Sequence, residues 1–305
     1  MFRVGVHNET NALEWVVLGR ADHSGPTPLS QAAYDLKSRQ HILAGTYPEE
    51  KELVAQLDAM RYALESHGVK VLRPELVVGC NQIFARDMGF VIDDHFFMSN
   101  ILPAREEEMQ AIQHIISQIP TTQVVYCPEE VHIEGGDVIV HGDHVFVGYY
   151  DQADYPDMIT ARTNKSAVTF LQDFFPNKKV IGLELVKSST DVYTNVLHLD
   201  CCFQPVGKDK AIVYPQGFVN NKDFQWLQQF FGHENLFLID AEGLYEMHAN
   251  VLSIGPDLVI SDPSFTKLNQ WLSVNGIQVV PVAYHEVSKQ GGLFRCTTLP
   301  LVRKP

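Results

Sequence analysis

Four short stretches of the chain gather the side chains best suited to chemistry on a polar substrate. Residues 84–100 open with Arg86 and Asp87, residues 132–149 carry Glu134 and Asp137, residues 198–215 open with His198 and Asp200, and residues 294–302 carry Cys296. A thiolate is the strongest nucleophile a side chain offers near neutral pH, which makes Cys296 the candidate nucleophile. His198 is the natural proton carrier beside it, able to protonate a departing amine and later activate an acceptor or water. Glu134 suits the third place, orienting the histidine and accepting hydrogen bonds from the substrate. Asp87 and Asp200 complete a set fitted to a guanidinium, a planar cation whose paired N–H donors are best received by carboxylates. Holding that cation also draws electron density from its central carbon, which resonance otherwise shields.

Several other candidates have ordinary structural readings. Asp93 and Asp143 stand in turn sequences, where Asp is a turn former. Cys201 and Cys202 lie in an apolar run and read as core residues. His132, His141 and His144 surround one hairpin, but no cysteine has matching spacing, so no metal is expected. Arg295 has two open readings: a cation lowering the thiol pKa of Cys296, or an outward salt bridge from the opposite face of a strand.

The elements that must position these groups recur at intervals of about 50 residues, a spacing typical of repeat architectures. The unit is strand, tight turn, strand, helix, strand. Its hairpins fall at 84–100, 132–149, 198–215 and 248–263, each with an Asp- or Gly-containing turn. Helical periodicity follows at 105–118, 163–174, 221–231 and 265–274, then short apolar strands at 123–126, 179–183, 236–239 and 277–282. A fifth unit is split between the termini, with 13–20, a helix at 50–67 and 69–72 joining the last strand at 294–302. The expected architecture is therefore α/β, a closed five-bladed αβ-propeller of ββαβ units forming one domain over 1–305. A doubly wound sheet fits less well, since it alternates single strands with helices. Neither GxGxxG nor GxxxxGK[ST] occurs, and no cofactor is expected. Residues 21–44 lack a periodic signal and read as a lid over the channel or as a surface loop.

Composition narrows the partners. Across 305 residues, 23 Lys and Arg face 37 Asp and Glu, a formal charge of −14. With no basic cluster to neutralise phosphates, nucleic acid is not an expected partner. No signal-like start and no apolar run near the roughly 20 residues of a membrane span are present, so a cytoplasmic protein with no membrane partner is expected. Five cysteines with no CxxC spacing argue against a disulfide framework. Nothing in the composition opposes a homo-oligomer.

Together, Asn81-Gln-Ile-Phe-Ala-Arg86-Asp87, His132-Ile-Glu134-Gly-Gly-Asp137, His198-Leu-Asp200 and Gly291-Gly-Leu-Phe-Arg-Cys296 resemble an ordered motif set. It is that of the amidinotransferase, arginine deiminase and dimethylarginine dimethylaminohydrolase superfamily, the penteins, and the likeness spans nearly the whole chain. The resemblance implies the five-bladed fold, Cys296 as nucleophile, His198 as acid and base, and Glu134, Asp87 and Asp200 as guanidinium contacts. It also implies that Asn81, Arg105 and Arg162 bind the polar end of an arginine-like substrate, with Arg86 a further candidate and 151–160 an insertion before Arg162. Residues 13–22 look like the opening of amidinotransferases, whereas Glu134-Gly-Gly-Asp137 and the ending 295–303 look more like arginine deiminases. The leading expectation is transfer of an amidino group through a covalent Cys-amidino intermediate to an amine acceptor such as glycine, releasing ornithine. The alternative is hydrolysis to citrulline, of the deiminase or dimethylaminohydrolase type. A third is a non-catalytic propeller that binds without reacting, as in a translation initiation factor of the same architecture.

Overall fold

In the computed structural model, which describes residues 1–155 and 159–305, the strands form five three-stranded sheets. Four are continuous in sequence, and the fifth joins both ends of the chain. Their inner strands are Gly89–Ile92, Val138–His141, Phe203–Val206, Leu252–Gly255 and Thr298–Arg303. These are almost wholly buried, including the polar side chains of Gln204, Ser253, Thr298 and Arg303. Each pairs antiparallel with a middle strand, and each middle strand pairs parallel with an outer one. Asp93, Gly142 and Gly207 take positive φ in the turns, the conformation tight hairpins demand.

The parallel third strand requires a crossover, and amphipathic helices supply it. Lys165–Phe174, Asn221–Phe231 and Thr266–Val274 do so in three blades. In the terminal blade Glu50–Ser66 buries Leu53, Leu57, Met60 and Leu64 along one face, and Glu49 with Glu52 forms a capping box at its start. The helix expected at 105–118 is instead broken into a 3-10 turn, Pro103–Arg105, and two short helices, Glu106–Gln110 and Gln113–Ile116. The break lets Arg105 and Glu108 both turn inward as a buried ion pair.

Ring closure uses both ends. Leu13–Leu18 lies between Thr298–Arg303, antiparallel, and Lys70–Leu72, parallel. The sheets agree with the expected five-bladed ring of ββαβ units. The difference lies at the hairpin starts. Ala85–Met88, Gly135–Asp137 and Leu199–Cys202 are short helical turns that lead into their inner strands. Turns at Asn250 and Thr297 do the same in the other two blades. The reactive side chains therefore project from five turns rather than from strands. No helix among the described residues is long and apolar enough to cross a membrane.

Candidate active site

Cys296 sits in the last of these turns, 2 % exposed. The Asn250 side chain fixes that turn: Oδ1 accepts from the Arg295 and Cys296 amides at 3.0 and 3.1 Å, and Nδ2 donates to the sulfur at 3.1 Å. Asp200 Oδ2 lies 3.7 Å from Sγ. The Cys201 thiol is a hydrogen-bond partner of Cys296; that bond, burial and the Asp200 carboxylate push the Cys296 pKa well above the usual thiol range. The free site thus disfavours the Cys296 thiolate.

His198 stands at the start of the Leu199–Cys202 turn, where Nε2 meets Glu134 Oε2 at 2.7 Å and Nδ1 lies 3.9 Å from Asp87 Oδ1. Burial alone would lower its pKa. The Asp87, Asp137 and Glu134 carboxylates outweigh that and raise it to about 9, so the ring is an imidazolium at neutral pH. Burial pulls the Glu134 pKa upward, but Arg162, His198 and Arg105 prevail and hold it well below the usual range. Its backbone N–H donates to the Thr163 hydroxyl at 3.1 Å. Gly136 leaves the space the histidine needs, since a Cβ there would meet the ring at 2.8 Å.

Two arginines close the other side. Arg105 donates to both oxygens of Glu108 at 2.7 Å and to Asp87 Oδ2 at 2.6 Å. Arg162 donates to Glu134 Oε2 at 3.2 Å and to the Tyr34 carbonyl. The Tyr34 ring lies 5.7 and 5.9 Å from the two guanidinium carbons. Beneath it a cavity of about 10 Å³ is bounded by Asp87, Arg105, Arg162, His198 and Cys296. Outside it a chamber of about 460 Å³ shares Tyr34, Asp35 and Gln290 with that cavity. Residues 24–28, 32–35 and Ser38 line that chamber, and Asp35 caps the helix Leu36–Ala44.

A buried thiol, an imidazolium and carboxylates around one small cavity suit attack on a planar cation, and the comparisons agree in family. The family model for eukaryotic N,N dimethylarginine dimethylhydrolase matches residues 32–303. The chain belongs to that family. It is 31% identical to protein YkgA of Bacillus subtilis over 245 residues, covering 79% of this chain and 77% of YkgA. Two solved structures share the fold. The product-bound N-terminal domain of ArgZ, an arginine dihydrolase from cyanobacteria, gives TM-score 0.76 at 16% identity, covering 96% of this chain and 98% of that one. The inosamine-phosphate amidinotransferase StrB1 from Streptomyces griseus gives 0.74 at 20% identity, covering 99% and 97%. The fold is that of the penteins, the guanidino-modifying enzymes.

In this dimethylhydrolase-family chain, the structure brings Cys296, His198, Asp87, Arg105 and Arg162 onto one cavity, with Glu134 and Asp200 hydrogen-bonded or in contact just behind. Asn81 is elsewhere: it lines the outer chamber and donates to Gln290 at 2.9 Å. Arg86 faces away from the cavity, 3.6 Å from Glu9, because neighbours in a 3-10 turn point to different sides. The outward salt bridge read for Arg295 is replaced. The residue belongs to a turn rather than a strand and points inward, to Asp200 at 2.9 Å and Glu9 at 3.1 Å, wholly buried. Part of the insertion read at 151–160, residues 156–158, lies outside the described residues.

Asp87, Glu134 and His198 offer three ligand atoms within 4.8 Å of one another, a set that could hold a metal ion. Arg105 and Arg162 already stand on those carboxylate oxygens, so a metal would compete with two cations. His141 and His144 pack against Phe230 instead. Sequence reading missed Asn250, Glu108 and Glu9. Only Asn250 had a signal, its place at a hairpin start like Asp87 and His198.

Proposed function

We propose that this protein hydrolyses the guanidino group of arginine or an N-methylated arginine, with Cys296 as nucleophile, leaving citrulline and an amine or ammonia. One observation carries the reading: Asp87 Oδ1 is buried, lacks a hydrogen-bond partner in the protein, and borders the same cavity as Cys296 and His198. It is an acceptor waiting for an N–H, and a guanidinium supplies one. A bound cation also favours the thiolate that the free site suppresses.

Cys296 loses its proton to solvent as the cation enters, the thiolate forms a C–S bond to the guanidinium carbon, and His198 gives its proton to the departing amine as the C–N bond breaks. Water then adds to the amidino carbon, His198 takes a proton back, and the C–S bond breaks to return the thiolate. Glu134 holds the imidazole in place and stabilises its charge. A substrate carboxylate is the natural ligand of Arg105 and Arg162, and receiving it requires the Tyr34 carbonyl to leave Arg162. The match to a dimethylarginine hydrolase family over residues 32–303 supports hydrolysis over transfer, and the cavity of about 10 Å³ beside Cys296 has room for a water. The adjoining chamber of about 460 Å³ favours transfer, since it offers an acceptor room.

Incubation with arginine and with N,N-dimethylarginine, each with and without glycine, separates the two. Citrulline with ammonia or dimethylamine, independent of glycine, is the expected result; ornithine formed only with glycine replaces hydrolysis by transfer. Cys296→Ser should abolish turnover and adduct formation, and an active serine variant would sink both.

A further inference from the structure

Behind the Cys296 turn, near the inner strands, five charged side chains meet out of water. Glu9, Arg86, Asp200, Arg295 and Arg303 are each at most 3 % exposed. Three cations and two carboxylates leave a formal charge of +1 in a medium that tolerates none unpaired. Arg295 takes both carboxylates, Asp200 at 2.9 Å and Glu9 at 3.1 Å. Arg86 reaches Glu9 only at 3.6 Å, and its Nη2 has no partner in the protein.

Arg303 is worse supplied. One nitrogen donates to the Asn11 and Ser253 carbonyls at 2.6 and 2.9 Å, while Nε and Nη2 have no partner, nor has Arg295 Nε. Among the described residues no carboxylate ion-pairs with Arg303. Burial lowers the Arg86 pKa to about 9 and the Arg303 pKa to about 10, with Arg295 repelling both. An arginine does not shed its proton to escape, so the imbalance needs a counterion. Asp87 is no help: although next to Arg86 in sequence, it is engaged by Arg105 and faces the cavity. Water would satisfy Glu9 Oε2, also unpartnered, but would not cancel the charge.

We propose that this cluster binds a small monovalent anion of the halide class, held by the free N–H groups of Arg86 and Arg303. A single-atom ion fits better than phosphate, since none of the three arginines borders the inner cavity or the outer chamber. Arg295 couples the anion to the site, because it holds the Asp200 carboxylate that lies against Cys296.

The test uses the full chain, dialysed into sodium gluconate and titrated with chloride or bromide at constant ionic strength. A specific anion raises Tm by several degrees and saturates, as linkage requires. The general salt series gives bromide no such advantage. Crystals soaked in bromide should show an anomalous peak beside Arg86 and Arg303. Arg303→Met removes the excess charge and should abolish the halide effect while keeping the fold; if it does not fold, Arg86→Met serves. A Tm set by ionic strength alone, or a bromide soak giving only water at the cluster, overturns the proposal.

Discussion

Glu134 Oε2 receives both His198 and Arg162, with Arg105 3.9 Å away, so one oxygen answers to three cations. Glu134→Gln removes that charge while keeping the shape. It should lower kcat/KM by about 10²- to 10³-fold, the range typical of lost acid–base support, and move the alkaline limb of the pH profile downward. In the wild type that limb should fall near pH 9 if, as proposed, His198 must be protonated to expel the amine. Steady-state rates from pH 6 to 10.5 check both. The same proton bears on folding. The native pKa of His198 lies above its ordinary 6.5, so its stabilisation is complete below about pH 6.5 and is lost as pH rises through about 9. Urea midpoints should show that decline, and a His198→Gln variant should lack this share of it. At this scale the sequence was readable where a reactive residue opened a repeat, as for Asp87, His198 and Cys296. Glu9 and Glu108 stayed hidden, since their meaning lies in partners, such as Arg295 for Glu9, that only folding brings near.

The turns set the angles at which these groups meet. Gly136→Ala tests this, because the added Cβ would lie 2.8 Å from His198 Cγ and 3.1 Å from Asp87 Oδ1. The expected outcome is a loss of activity of about 100-fold, of the size that small misplacements cause, with circular dichroism unchanged. Strands and helices were legible to within a few residues wherever a periodic apolar face met solvent, as in Asn221–Phe231. The turns were not, since their shape rests on hydrogen bonds to distant groups, such as Asn250 to the Cys296 amide. Tyr34 was equally illegible: nothing local tells that its carbonyl meets Arg162. If residues 21–44 act as a lid, arginine should slow proteolytic cleavage within them.

Across the molecule, the ring is closed by the pairing of Leu13–Leu18 with Thr298–Arg303, extended where the Arg303 backbone N–H donates to the Gly5 carbonyl at 2.7 Å. Deleting residues 298–305 leaves Val16, Val17 and Leu18 without their buried partner strand. The truncated chain should fail to fold, whereas the intact one should unfold with coincident fluorescence and circular dichroism transitions. The ring was foreseeable because five similar units with split ends can hardly close otherwise. Each blade lends the site one turn, and Cys296 belongs to the turn nearest the C-terminus. Synthesis runs from the N-terminus, so Asp87, Glu134 and Asp200 are made before the Cys296 thiol proposed to attack a guanidinium. A chain stalled short of Cys296 also lacks Thr298–Arg303, so the thiol and the strand that closes the ring over it are made together.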